Sequence, residues 1–288
     1  MQDGPDAADL PPPRQLTLAG GPFESWHRAR LGPAVDLGDL GPAVVPPLLL
    51  PEMRAAWQAR VRSEFRSIQI MTRFLTEVTG AGDPLDVYTA AVELVADEIR
   101  HAELCAAVCR RLEVAAPLPE PLPLPDAAGF LALPYPERAL STAITMLVVN
   151  ESISTAIIRD LLARCDYQPV QRVLQATVED EDTHGNFGWD YVGASLARFD
   201  HQSRSYWRRL TLQALEPHRT FAARTLSGVS AAERSLGAGE ELELARYGLL
   251  SPRRQALLFE RTLALEIGPR LRELDLLSPD DPVGPAGK

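Results

Sequence analysis

The chain repeats one short phrase, and that phrase restricts the folds open to it. Asp97-Glu98-Ile99-Arg100-His101 and Asp180-Glu181-Asp182-Thr183-His184 both read Asp-Glu-x-x-His. In a helix, residues three apart stack on one face, so each phrase aims a carboxylate oxygen and an imidazole nitrogen at a common point. Oxygen and nitrogen donors converging in this way are what a transition-metal site needs. Two such phrases, each with one further Glu from a neighbouring helix, meet the requirement of a dimetal carboxylate site among four helices. The repeat therefore predicts two helices turned toward each other.

Apolar periodicity predicts those helices and two more. Over 52–79, Trp57, Val61, Ile68, Met71, Leu75 and Val78 keep helical spacing, with Glu64 inside the stripe. Gly80-Ala81-Gly82 ends this helix, and Asp83-Pro84 predicts an N-cap and first turn for the next. That second helix carries Leu94, Glu98, His101, Cys105 and Val108 on one face. A third, over 137–164, carries Leu140, Ile144, Leu147, Glu151 and Ile158. Cys165 to Pro169 separates it from a fourth, with Val170, Leu174, Thr177, Glu181, His184 and Tyr191. A fifth helix is expected over 204–225, and one or two more between 231 and 274.

The remaining segments are rich in helix breakers. Residues 1–51 contain Pro11-Pro12-Pro13 and Pro46-Pro47 and are expected to be disordered in part or to lie on the body as an extended arm. Glu24-Ser25-Trp26-His27 in that arm is a third Glu-x-x-His, which we read as coincidence because it has no partner. Residues 115–136 form a Pro-rich crossover that excludes a helix. The expected division is an arm over 1–51, a bundle over 52–200, added helices over 201–275 and a disordered tail over 276–288.

The formal charge of −10 and pI near 5.1 argue against nucleic-acid and anionic-membrane partners. Three Cys give no disulfide framework and suit a reducing compartment. The N-terminus lacks an apolar run, and no uninterrupted apolar stretch approaches a membrane span. A cytoplasmic protein is expected, with a homodimer left open.

Heights along the hairpins agree with one shared site. From Gly82, Glu64 lies 82 − 64 = 18 residues back and Glu98 lies 98 − 82 = 16 on. From Tyr167, Glu151 lies 16 residues back and Glu181 lies 14 on. At about 1.5 Å per residue each mismatch is only about 3 Å. Four carboxylates would then share one level of an apolar interior, where without a cation each costs several kcal/mol. Two divalent ions balance four carboxylates in charge.

This set of residues resembles the ferritin-like dimetal-carboxylate superfamily and, within it, bacterial ferritin-like domain proteins. The family pattern is Glu, Glu-x-x-His, Glu, Glu-x-x-His on four successive helices. Glu64, then Glu98 and His101, then Glu151, then Glu181 and His184 fill every position. The resemblance covers about half the chain. It implies an all-α ferritin-like four-helix bundle with a Pro-rich crossover, two iron ions or a manganese–iron pair, and Asp97 and Asp180 as acceptors that orient the ligand imidazoles. It also implies an oxidase or oxygenase using O₂ on a small organic substrate and taking electrons from a donor that the sequence does not identify. The alternative it carries is a ferroxidase, peroxidase or iron-handling protein like ferritins and rubrerythrins. Cys105 stands four residues after the first ligand His, where ribonucleotide reductase subunits have a radical Tyr and the methane monooxygenase hydroxylase has Cys. Thr155 stands four residues after Glu151, where related monooxygenases have Thr beside the oxygen-binding face. Both are candidate catalytic residues. Arylamine N-oxygenases have a His where this chain has Thr177.

Overall fold

The helical periodicity is realised in the described residues. The computed structural model describes residues 15–116, 118, 124, 126, 128–200, 203–230, 232–234, 236–237, 239 and 241–281, and it is all-α, with 73% helix and no strand among the described residues. Helix α1 is Gly21–Leu31, α2 Leu50–Ala81 and α3 Leu85–Arg111. A single continuous helix follows over 135–164: α4 (Tyr135–Thr142), a π-helical stretch (Ala143–Asn150) and α5 (Glu151–Arg164). Next come α6 (Gln168–Leu196), α7 (Arg204–Thr225) and the single turn α8 (Leu242–Arg246). The last long helix spans 252–273 as α9 (Pro252–Thr262), a second π stretch (Leu263–Ile267) and α10 (Gly268–Glu273).

Helix α2 packs along α3, and α5 along α6, while α3 also meets α6. The turn between α2 and α3 is made by Gly82 at φ 72°, a left-handed conformation open to Gly, whose successor's N–H bonds the Val78 carbonyl at 3.1 Å. The expected Asp83 cap is not formed. Its carboxylate accepts from the Tyr191 hydroxyl at 2.8 Å and pairs with Arg198, so Asp83 ties the turn to α6 and Pro84 takes the N-cap position.

Apolar side chains form two separate clusters. One gathers Met71, Phe74, Leu94, Leu147 and Val192, and the other Trp57, Val61, Val108, Leu161 and Leu174. Along three of the four central helices, Glu64, the 98/101 pair and the 181/184 pair fall between the contributions to the two clusters, while Glu151 stands at the edge of the first, between its Val149 and Ile153. A polar layer is thus sandwiched between two dry ones.

Helix 135–164 is long and apolar enough, by length and composition, to cross a membrane, although its apolar residues do not form one uninterrupted run. In the fold 56% of its most apolar window is buried, against α2, α6 and α7. Its π stretch is held by the Asn150 amide, which donates to the Thr145 carbonyl at 2.6 Å. Such stretches concentrate at functional sites, because a widened turn re-aims the residues after it; here the next residue is Glu151. Gly188 of α6 meets this stretch so closely that an added Cβ would lie 2.8 Å from the Leu147 carbonyl oxygen. Gly188→Ala is therefore expected to destabilise the protein by about 2 kcal/mol in urea unfolding, since a backbone atom cannot step aside.

Three segments differ from the sequence expectation. Within the predicted arm, residues 21–31 are helical, opened by Gly20 and Pro22 and anchored on α3 by Arg28 and His27, both of which bond Glu103. Leu276 and Leu277 are buried core residues, not tail, because Asp275 at φ 59° turns the chain back and the Leu276 N–H bonds the Leu271 carbonyl. The Pro-rich crossover lies in part outside the described residues; of the rest, Phe130–Ala132 form a 3₁₀ turn and Tyr135 already opens α4.

Candidate metal centre

The four central helices bring all six predicted side chains to one place. Glu98, Glu151, Glu181 and His184 form one group of donor atoms, and Glu64, Glu98 and His101 another; within each group the atoms lie within 4.8 Å of one another. A first-row metal with ligands at about 2.1 Å spans opposite donors about 4 Å apart, so each group is of the size that holds an ion. Glu98 belongs to both groups. Glu24 and His27 belong to neither.

The two histidines present the same atom to the cluster. His101 Nδ1 lies 3.7 Å from Glu98 Oε2 and 3.4 Å from Glu181 Oε1. His184 Nδ1 lies 3.8 Å from Glu98 Oε1 and 3.4 Å from Glu181 Oε2. Each of these two carboxylates therefore offers one oxygen toward each imidazole. Glu64 stands on the His101 side, with Oε2 4.0 Å from its Nδ1.

The far ring nitrogens are held by carboxylates, and the pairing is crossed. His101 Nε2–H donates to Asp180 at 3.1 Å, and His184 Nε2–H donates to Asp97 at 3.1 Å. Each Asp of one phrase thus orients the His of the other. Such bonds fix the tautomer that leaves Nδ1 as the free donor atom. Asp180 is braced in turn by Arg100, whose Nη1 donates to both its oxygens at 2.9–3.0 Å. The arginine sits inside the first phrase itself; its helical face was readable from sequence, its partner was not. Asp180→Asn and Asp97→Asn are expected to weaken metal affinity by about ten- to a hundredfold each. Competition against a chromophoric chelator reads that loss directly.

Whether the residues fit a cation can be judged from their own unmet valences. Both oxygens of Glu98, Oε2 of Glu181 and Nδ1 of both histidines are buried and have no hydrogen-bond partner. Buried polar atoms are nearly always paired, and leaving one unpaired costs about 1–3 kcal/mol. The titrations agree. Burial, then the neighbouring Glu98 charge, pushes Glu64 up to about 8, and burial with the Glu181 and Glu98 charges pushes Glu151 well above the carboxylate range. Burial opposes charging of His184, but Asp97 and Glu181 raise it to about 10, and His101 is raised by Asp180 and Glu98 against the same penalty. Burial also opposes ionisation of Glu181, yet the neighbouring His184 and His101 imidazoles hold it low. Protons thus occupy the positions that a divalent ion would take. The donor set fits a metal ion.

The two candidate catalytic residues stand differently. Thr155 is buried, its Oγ1 makes no hydrogen bond, and it lines a cavity of about 180 Å³ together with Glu181. Cys105 lies in an apolar cluster, and burial pushes its thiol well above its usual range, so it stays protonated. On the other flank, Glu64, Glu151 and Glu181 open onto a cavity of about 340 Å³.

No family model, curated protein or solved structure matches the chain. The fold and the site define a class: an all-helical protein with a buried cluster of Glu and His that could hold a metal ion.

Proposed function

We propose that the chain is a ferritin-like four-helix dimetal-carboxylate protein that activates O₂ to oxidise a small organic substrate, with two iron ions, or a manganese–iron pair, in the cluster. One observation carries this reading above the rest. Glu98 and Glu181 each direct one oxygen to each imidazole, so both carboxylates would take part in holding the ions. Iron bound there would supply the electrons and open coordination that O₂ reduction requires.

The chain's own residues account for the rest. Glu98 and Glu181, with His101 and Glu64 on one side and His184 and Glu151 on the other, would hold the ions. Asp180 and Asp97 hold the rings in one tautomer. The apolar layers above and below exclude water. The Thr155 hydroxyl, beside Glu181 and lining a cavity, is placed to pass a proton at the edge of the cluster. A cavity of about 340 Å³ against three of the carboxylates supports an organic substrate over iron handling, which needs no such space.

The test is anaerobic loading with ferrous iron, followed by exposure to O₂ with oxygen uptake, peroxide release and particle size all recorded. Two irons per chain, with uptake that small organic molecules accelerate while suppressing peroxide, is the expected outcome. Growth of a mineral core in a large cage would establish the ferritin-like alternative instead.

A further inference from the structure

The cavity beside the carboxylates does not end there. A second cavity, of about 600 Å³ and lined by none of the six cluster residues, adjoins it on the side away from the carboxylates, and Ile70, Met146, Asn150 and His218 line both. Those four residues form a waist joining an inner and an outer chamber. The waist is built, not incidental. His218 Nε2–H donates to the Asn150 side-chain oxygen at 3.0 Å, and the Asn150 amide is held on the Thr145 carbonyl. The His218 ring stacks on Phe259, 5.6 Å between centroids, and burial lowers its affinity for a proton. Both chambers are within the size range of small-molecule sites.

The chambers differ in chemistry. The outer one is walled by Phe130, Met146, Leu210, Ala214 and Pro217. Its cation, Arg73, is already committed: it pairs with Asp126 at 2.6 Å and with Glu77, and it lies over the Phe130 ring. The inner chamber carries Ser63, Ser67 and Ser154 and one arginine, Arg66. Arg66 is half-buried, its Nε is buried with no hydrogen-bond partner, and no carboxylate among the described residues pairs with it. An unpaired guanidinium facing a partly closed chamber is a prepared site for a planar anion, which it binds through paired N–H donors.

We propose that the joined chambers bind a small monoanionic organic acid, its acid group on Arg66 in the inner chamber and its apolar body running through the waist into the outer one. This deepens the oxidase reading, on which it rests for its direction: the end of the molecule at Arg66 lies against the carboxylate cluster. With the cluster's carboxylates balanced by metal, Arg66 is the uncompensated charge of the inner chamber.

The test uses the full chain loaded with manganese(II), so that no turnover intervenes, and isothermal titration with three probes of one shape: 4-phenylbutanoate, its amide and 4-phenylbutylamine. The acid is expected to bind about tenfold more tightly than the amide, with the amine weakest. Arg66→Gln should weaken the acid about tenfold and leave the amide unchanged. Ala214→Trp, which fills the outer chamber, should weaken acid and amide alike. Equal binding of acid and amide by the native chain, a preference that survives Arg66→Gln, or no binding of any probe overturns the proposal. Metal content of the same samples is read separately. A chain that retains no metal yet keeps the Arg66-dependent acid preference supports the anion site and defeats the dimetal reading. Two bound ions without that preference defeat the anion site alone.

Discussion

Glu98→Ala is expected to remove nearly all bound metal from the protein while leaving it fully helical. Glu98 belongs to both donor groups, whereas Glu64, His101, Glu151, Glu181 and His184 each belong to one. Removing it takes an oxygen from each position, so neither keeps its full set. Glu64→Ala or His101→Ala should lower the metal content by about half, because the group around Glu151 and His184 stays complete. The metal-free protein should respond in the opposite sense. Both oxygens of Glu98 are buried without partners in a layer crowded with other acids. Deleting such a group relieves a desolvation cost of order 1–3 kcal/mol, and the two imidazoles keep Asp180 and Asp97 as partners. Elemental analysis and thermal melts of the same preparations check both halves. A Glu98→Ala protein that retains two ions per chain would show the donor assignment to be wrong.

The second large effect is in pH. Folding raises Glu64 from 4.5 to about 8 and His184 from 6.5 to about 10, and raises Glu151 and His101 as well. Each of these groups binds its proton more tightly in the folded chain than in the unfolded one. The stability they give the metal-free fold is therefore complete below the unfolded values and is lost as pH rises, through about 8 for Glu64 and about 10 for His184. Glu181, held low, runs the other way: its contribution is lost as pH falls through its depressed value. Metal binding requires the deprotonated donors, so loading expels protons and tightens as pH rises. The melting temperature of the metal-free protein should fall between about pH 5.5 and pH 8, while the increment on adding metal should grow over the same range. Calorimetry in buffers of different ionisation enthalpy should show net proton release. An increment that does not vary with pH would mean that the ion binds elsewhere.

The helices were legible because their signal is local. Apolar residues at helical spacing placed the long helices to within a few residues, and Arg204–Thr225 was read with the observed bounds. The meeting of the six side chains was legible for a related reason: hairpin arms of matching length fix heights through the helical rise alone. Asp83 shows the limit of local reading. Asp-Pro is a sound start signal, but Tyr191 and Arg198, more than a hundred positions on, claim the carboxylate that would have capped α3. Glu24 and His27 show a lesser one: the breakers around them do not prevent a short helix that Glu103 anchors from α3.

From the sequence alone came the helix class, the level of the polar layer and the identity of the residues in it, because all three follow from spacing along single helices. Tertiary structure decided which Asp holds which His. Both phrases are the same, so spacing cannot distinguish Asp97 beside its own His101 from Asp97 across the interior on His184; the rotation of α3 against α6 makes that choice. It likewise decided that Arg100 and Arg73 find carboxylates while Arg66, among the described residues, does not. An arginine in a helix reads the same whether it meets an acid or an open chamber. The difference lies in what the neighbouring helices bring to it.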